Sequence, residues 1–292
     1  MNPNRWSMGG CLILTALFAT AKGAQGSDAA KITAEPVAGS VYLLRGPNVN
    51  TIASVGDDGI VLVDDELDAS AANQILATLK SISSMPLRFV INTHVHDDHT
   101  GGNDAIKKAV PIIAHRNVHT RMATGVGKRA AEALPAVTFE SELNLYLNAE
   151  DLRLLKLPAG HTDGDVVVFF TKSNVVAMGD VFMSPAASFV DVSSGGTILG
   201  LIEALEFVLP QIPEDAKVIP GHGAISSRAD VARGLEVLKE MKVIVNTGIA
   251  AGKTREQLVA EKPFEKWKAL IAPGAPTDAY VGRFYRELTA KE

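Results

Sequence analysis

A chain of 292 residues can bury a substantial core, as one large α/β domain or two small ones. With 47% hydrophobic and 21% charged residues and no low-complexity tract, its composition is that of a globular protein. A formal net charge of -5 and the lack of a dense Lys/Arg run argue against a nucleic-acid partner or an acidic-membrane surface.

The first segment is made of different material from the rest. "MNPNRWSMGG" carries Arg5 and no acid, and "CLILTALFATA" (11–21) is apolar and ends in small residues. Ala19 and Ala21 fit an A-x-A cleavage signal, so residues 1–26 read as a secretory signal peptide, cut near Ala21. The apolar run is well short of the roughly 20 residues needed to span a bilayer, so no stable membrane span is expected after cleavage. Cys11, the sole cysteine, starts the apolar run instead of following it, which argues against a lipoprotein anchor. The mature chain, taken as 27–292, is expected in the periplasm or outside the cell, without a thiol and with 26 basic residues against 33 acidic.

Beyond the leader, "VYLLRGPNVNTIASVGDDGIVLVDD" reads as short strands with turns at "RGPN" and "GDDG". Residues 69–82 place Ile75, Leu76, Leu79 and Ile82 at helical spacing. "LRFVINTH" is a buried strand, "GGNDAIKKA" a helix and "VPIIAH" the next strand. In the second half "DLRLLKLPAG", "DVVVFFTKSNVVAMGD" and "AKVIPGHG" read as strands, each ending in a polar group. Residues 197–212 form an amphipathic helix, "SRADVARGLEVLKEMKVIVNTGIAAG" is mostly helical, and the tail adds helix and irregular chain. No Pro/Gly/Ser linker divides 27–292, so one α/β domain with a helical C-terminal tail is expected, its polar strand ends along one edge.

"NTHVHDDHTGGN" (92–103) holds three of the seven histidines: His94, His96 and His99, with Asp98 among them. His161 follows in "PAGHTDGD", Asp180 in "AMGDVF" and His222 in "IPGHG", each beside glycine, which permits a sharp turn over a sheet edge. His94 and His96, two apart on extended chain, point the same way and with His161 complete a three-histidine site with an open fourth position, the arrangement of catalytic zinc. Asp98, His99 and His222 make a second site, and Asp180 bridges the two. Imidazoles and carboxylates without thiolate suit zinc, two ions per chain, with iron or manganese as substitutes. Thr162 and Asp165 either support the ligand loop or cap it. His115 and His119 read as surface or helix-end residues, and Asp97 as pointing away from the metals. The stretch 183–196 reads as a flexible loop beside the site, where Phe182, Met183 and Phe189 line a substrate pocket or belong to the core.

The ordered motifs "THVHDDHTGG", "GHTDGD", "MGDVF" and "IPGHG" resemble those of the metallo-β-lactamase superfamily of hydrolases, and Asp64 in "VLVDDE" matches that family's first motif. The resemblance covers roughly residues 40–225 and implies a four-layer αβ/βα sandwich with a dinuclear zinc centre on its edge. Zinc lowers the pKa of bound water to roughly 7, which makes a nucleophile available at neutral pH, and Asp98 is the residue placed to orient it. The substrate is then a small molecule. Export favours a β-lactam or similar cyclic amide or ester, since β-lactamase targets enter the periplasm, with antibiotic resistance as the biological setting. Asp180 points to thioester, lactone or sulfur-ester hydrolysis, because the family's true β-lactamases commonly carry cysteine or serine there. "SFVDVSSGGTILGLIEALEFVLPQIPEDAKVIPGHG" also resembles exported sulfur-oxidation and quinoprotein-relay members. A redox diiron role would replace His96 by glutamate, and a pure metal-storage module would need neither an open position nor a nearby loop.

Overall fold

In the computed structural model, residues 31–47, 49–106, 110–125, 128–185, 188–271 and 276–290 are described. The expected leader, residues 1–26, lies outside them. No helix among the described residues is long and apolar enough to cross a membrane.

Among the described residues, thirteen strands form two sheets. The first runs β1 (Thr33–Ala38), β2 (Val41–Arg45), β3 (Asn50–Gly56), β4 (Gly59–Val63), β5 (Leu87–Ile91), β6 (Ile112–His115) and β7 (Val137–Phe139), in spatial order as in sequence. It is antiparallel from β1 to β4 and parallel from β4 to β7. The change falls where α1 (Ala69–Ile82) crosses from β4 to β5, as a parallel neighbour requires. The second sheet has the order β13 (Ser226–Ser227), β12 (Lys217–Ile219), β11 (Val175–Ala177), β10 (Val166–Phe170), β9 (Glu150–Lys156) and β8 (Glu142–Leu147).

Why the sheets stack is visible in the alternation of their strands. In β4, Val61 and Val63 face the second sheet while Ile60 and Leu62 face α1 with Ile75 and Leu79. In β10, Val166, Val168 and Phe170 meet the first sheet, and Val167 and Phe169 turn to the helices on the far side. Both strands are therefore buried throughout, which is why they read as unbroken apolar runs. A charge at Val168, wholly enclosed between the sheets, would be left unpaired and break this interface.

The outer layer over the second sheet is α5 (Ile198–Val208), α6 (Arg228–Ala250) and α8 (Thr277–Thr289), with α7 (Arg255–Ala260) beside α8. The layers run helix, sheet, sheet, helix, the expected αβ/βα sandwich. α1 has the residue bounds read from its spacing, because Asp68 caps it by accepting from the amides of Ser70 and Ala71. The expected 197–212 helix stops as α-helix at Val208 and finishes as a 3-10 turn through Leu209–Gln211, where Pro210 supplies no amide. Strands β1, β7, β8 and β13 add to those expected from the sequence.

Candidate metal centre

The polar groups at the strand ends meet at one edge of the sandwich. β4 delivers Asp64, β5 leads through Thr93 into His94 and His96, and the short helix α2 (Asp97–Thr100), followed by α3 (Asn103–Ile106), presents Asp98 and His99. From the other sheet, β9 and β10 flank the loop holding His161, β11 runs into Asp180, and β12 into His222. Two turns of the backbone make this approach possible. Gly179 sits at φ +50, and at Gly221 any Cβ would fall 1.9 Å from Asp180 Oδ1. The His222 turn is tied to β3 by Asn50, whose Nδ2 donates to the carbonyls of Pro220 and Gly223, both at 2.9 Å.

His94 Nε2, His96 Nδ1 and His161 Nε2 lie 3.1, 3.2 and 2.8 Å apart pairwise. Asp98 Oδ2 is 3.2 Å from His222 Nε2 and 3.8 Å from His99 Nε2. Between the two sets sits Asp180. Its Oδ2 is 3.5 Å from His161 Nε2, 4.0 Å from His94 Nε2 and 3.4 Å from His222 Nε2, while its Oδ1 is 3.3 Å from His99 Nε2.

What surrounds each imidazole explains which nitrogen faces inward. Asp64 accepts from the Thr93 amide and hydroxyl, both at 2.8 Å, and from His99 Nδ1 at 2.7 Å. Since the Thr93 hydroxyl donates to Asp64, it accepts from His94 Nδ1, 3.1 Å away. The Phe189 carbonyl accepts a hydrogen bond from His161 Nδ1 at 2.6 Å, and Asp191 Oδ2 accepts one from His96 Nε2 at 3.0 Å. In all four histidines the outer nitrogen has an oxygen acceptor, which leaves the inner nitrogen to serve as the metal ligand once it is free of its proton. Three lone pairs about 3 Å apart repel unless a cation lies among them. Tetrahedral zinc with bonds of about 2.0–2.1 Å would hold its nitrogens about 3.3 Å apart.

The second set gives an independent test of fit. His99 Nε2 and Asp180 Oδ1 are buried and face each other at 3.3 Å without a well-aligned hydrogen bond to one another or to any other group, the kind of under-satisfied pair that a metal ion completes. Charge agrees. Burial, then His99 and His161 nearby, drives the pKa of His94 well down, and burial lowers that of His161, so both stay neutral ligands. Burial works against the charged form of His222, yet hydrogen bonds to Asp180 and Asp98 outweigh it and raise its pKa to about 10. Burial likewise opposes charge on His99, and Asp180 and Asp64 overcome it. Those two protons balance the carboxylates, and a divalent ion would displace them. The donors present fit zinc.

Exposure marks the open side. The side chains of His96, Asp98 and His222 are 25%, 29% and 27% exposed, against 0–6% for His94, His99, His161 and Asp180. Thr162 and Asp165 brace the His161 loop: Asp165 accepts from the amides of His161 and Thr162 and from the Thr162 hydroxyl at 2.6 Å. Asp97 points out to Arg129. His115 is buried and caps α4 (Arg116–Thr124) by accepting from the Asn117 amide, and His119 lies within that helix. Phe189 flanks the centre, its ring 6.2 Å from that of His161. Met183 is half-buried on the chain leading there.

Of its two expected places Phe182 takes the core: it is buried under α6, its ring 3.6 Å from where a Cβ on Gly234 would stand, and it lines a small cavity there with Ser184 and Pro185, away from the histidines. Conversely, Asp191 was missed. It is the only carboxylate in 183–196, which was its one sequence signal. α8 fixes that loop in turn: Tyr280 Oη donates to the Ser188 carbonyl at 2.8 Å and Arg283 to that of Val190.

An αβ/βα sandwich with a histidine and aspartate cluster at its edge, able to hold metal, defines a class of metal-dependent hydrolase. Residues 35–233 match the family model of the metallo-beta-lactamase superfamily, and the chain belongs to that superfamily. Among its relatives is the 2,4-dinitroanisole O-demethylase subunit alpha of Nocardioides sp., 30% identical over 54% of this chain and 49% of that protein. A metallo-beta-lactamase type 2 of Bacillus cereus is 24% identical, with 62% and 69% of the two chains aligned. A hydroxyacylglutathione hydrolase of Polaromonas sp. is 29% identical over 62% of this chain and 64% of its own length. The chain thus spans about half to two thirds of these relatives. The solved metallo-beta-lactamase from Pontibacter korlensis shares the fold, with a TM-score of 0.64, 20% identity and coverage of 71% of this chain and 99% of that one.

Proposed function

We propose that this metal-dependent hydrolase holds two zinc ions per chain and cleaves a strained or activated carbonyl bond, a β-lactam or similar cyclic amide or ester being the first class. The observation that carries the two-ion reading is Asp180, whose carboxylate lies within 3.3–4.0 Å of four imidazole nitrogens drawn from both sets. When bound in such sites, zinc acidifies a coordinated water to about pKa 7 and polarises a carbonyl oxygen. His94, His96 and His161 would hold one ion, and Asp98, His99 and His222 the other.

The chain's own residues do the rest. The Asp98 side chain, 29% exposed, is placed to accept a hydrogen bond from the attacking water through the oxygen that a metal ion would leave free, and so to orient it. Its pKa is lowered, since the hydrogen bond from His222 outweighs the burial that would raise it, so it is an acceptor at neutral pH. Phe189, 40% exposed beside His161, offers the substrate an apolar wall.

Thioester or lactone hydrolysis is the second reading. It is supported by a carboxylate, not a thiol or hydroxyl, at the bridging position, and by the kinship to a hydroxyacylglutathione hydrolase. We propose in addition that residues 1–26 are cleaved on export to the periplasm or beyond; the N-terminal sequence of the mature protein tests this directly.

Penicillins, cephalosporins and carbapenems assayed beside an acylglutathione and an aliphatic lactone, with zinc-loaded protein and its Asp98→Ala variant, test the activity. Hydrolysis of one class approaching about 10⁴ M⁻¹s⁻¹ is expected, falling about 10²- to 10⁴-fold in the variant. Turnover of none by fully metallated protein, or turnover indifferent to Asp98, would contradict the proposal.

A further inference from the structure

Beside the open face of the centre lies a cleft of about 380 Å³, within the size range of small-molecule sites. Phe189 and Asp191 form its inner wall, and Arg255 of α7 with Arg283 and Arg286 of α8 supply its outer wall, with Asp278 at the helix start. The inner wall is continuous with the metal centre. Asp191 holds His96, and Phe189 stands between His161 and the Arg283 guanidinium, whose Cζ is 4.9 Å from the ring. The carbon of that guanidinium is therefore no farther from the His161 ring than the 6.2 Å and 4.9 Å steps taken together.

Three arginines converging here are unusual for a chain whose formal net charge is -5. The two carboxylates, Asp191 and Asp278, offset them only in part. Asp191 is engaged by His96 and by the Ser193 amide and hydroxyl, and its pKa is held low by those bonds against the effect of burial. Arg283 is half-buried and spends one nitrogen on the Val190 carbonyl. Arg255 meets Glu256, its sequence neighbour, in an exposed pair. Among the described residues no ion pair holds Arg286 or Asp278. Planar guanidinium forks are suited to two-point recognition of oxyanions, and Phe189 offers a face for the chain leading to one.

We propose that this cleft is an oxyanion subsite: the substrate carries a carboxylate or comparable anionic group, held by Arg255, Arg283 and Arg286, while its scissile carbonyl lies at the metal centre. The inference rests on the metal-hydrolase reading and narrows its substrate class to anionic molecules with an apolar spacer.

Thiols that anchor on zinc without being hydrolysed give a test by binding. Calorimetry on the zinc-loaded protein would compare ω-mercaptohexanoate with ω-mercaptohexanol and with the matching sulfonate. The carboxylate should bind at least about tenfold more tightly than the alcohol, an advantage of roughly 1.4 kcal/mol that shrinks as salt is added. Arg286→Gln with Arg255→Gln should abolish the advantage, and Arg286→Lys should keep part of it. Equal tightness of the sulfonate would support a general oxyanion site; weaker binding would support one tuned to carboxylate. Equal affinity of acid and alcohol, or an advantage that survives the double substitution, would overturn the subsite alone. Failure of both thiols to bind would overturn the zinc reading, and the subsite with it.

Discussion

The floor and the rim of the metal centre are built differently. His94, His99, His161 and Asp180 form a floor closed to solvent, and three of its outer nitrogens are held by Thr93, Asp64 and a backbone carbonyl. The rim of His96, Asp98 and His222 is about one quarter exposed, and its brace, Asp191, comes from a loop pinned by α8. A buried donor with its partner removed has no water to replace it, whereas a rim donor does. The floor should therefore govern whether metal binds, and the rim how the centre is used.

Breaking the shared element should have the largest effect. Asp180→Ala should lower kcat/KM by about a thousandfold and release metal from both sets, as read by activity and elemental analysis after gel filtration. The next effect sharpens the contrast. Asp64→Asn, in the floor, should weaken zinc binding about 10- to 100-fold in a competition assay with a chelator, and Asp191→Asn by about tenfold or less. Equal losses would erase the distinction between floor and rim.

The smallest effect concerns protons. In metal-free protein the folded-state pKa of His222, about 10, lies above the usual 6.5. Stability from that proton is complete below pH 6.5 and is lost as pH rises towards 10. The melting temperature of chelator-treated protein should fall across that window, and His222→Gln should flatten the fall. With zinc present the slope should reverse, because binding releases the proton and is favoured by higher pH.

Much of the fold was legible because its signals are local. α1 carries its spacing and cap within one stretch, and the buried strands β4 and β10 are apolar runs bounded by polar turns. In β8, Leu143, Leu145 and Leu147 alternate with Glu142, Asn144 and Tyr146, a period-two signal that is equally local. β1 hides behind Pro36, which an edge strand tolerates.

For the site, the histidine motifs announced residue types at ligand spacing. Asp191 and His96 are 95 residues apart, and nothing local joins them. Phe182 and Phe189 show why the pocket and core alternatives stayed open: both follow Asp180 closely, but neighbourhood in sequence does not give direction, and Phe182 is core while Phe189 is exposed beside His161. The arginine cleft is assembled from the loop after Asp180 and two C-terminal helices, so only the packed chain displays it.

The most direct test of the central claim is a zinc titration of metal-free protein, with bound metal counted by equilibrium dialysis and proton release followed in weak buffer. Two zinc ions per chain, taken up with release of protons at neutral pH and lost together in Asp180→Ala, is the predicted result. One ion or none at saturation, or two that bind Asp180→Ala as they bind the unaltered chain, would contradict a centre bridged by that carboxylate.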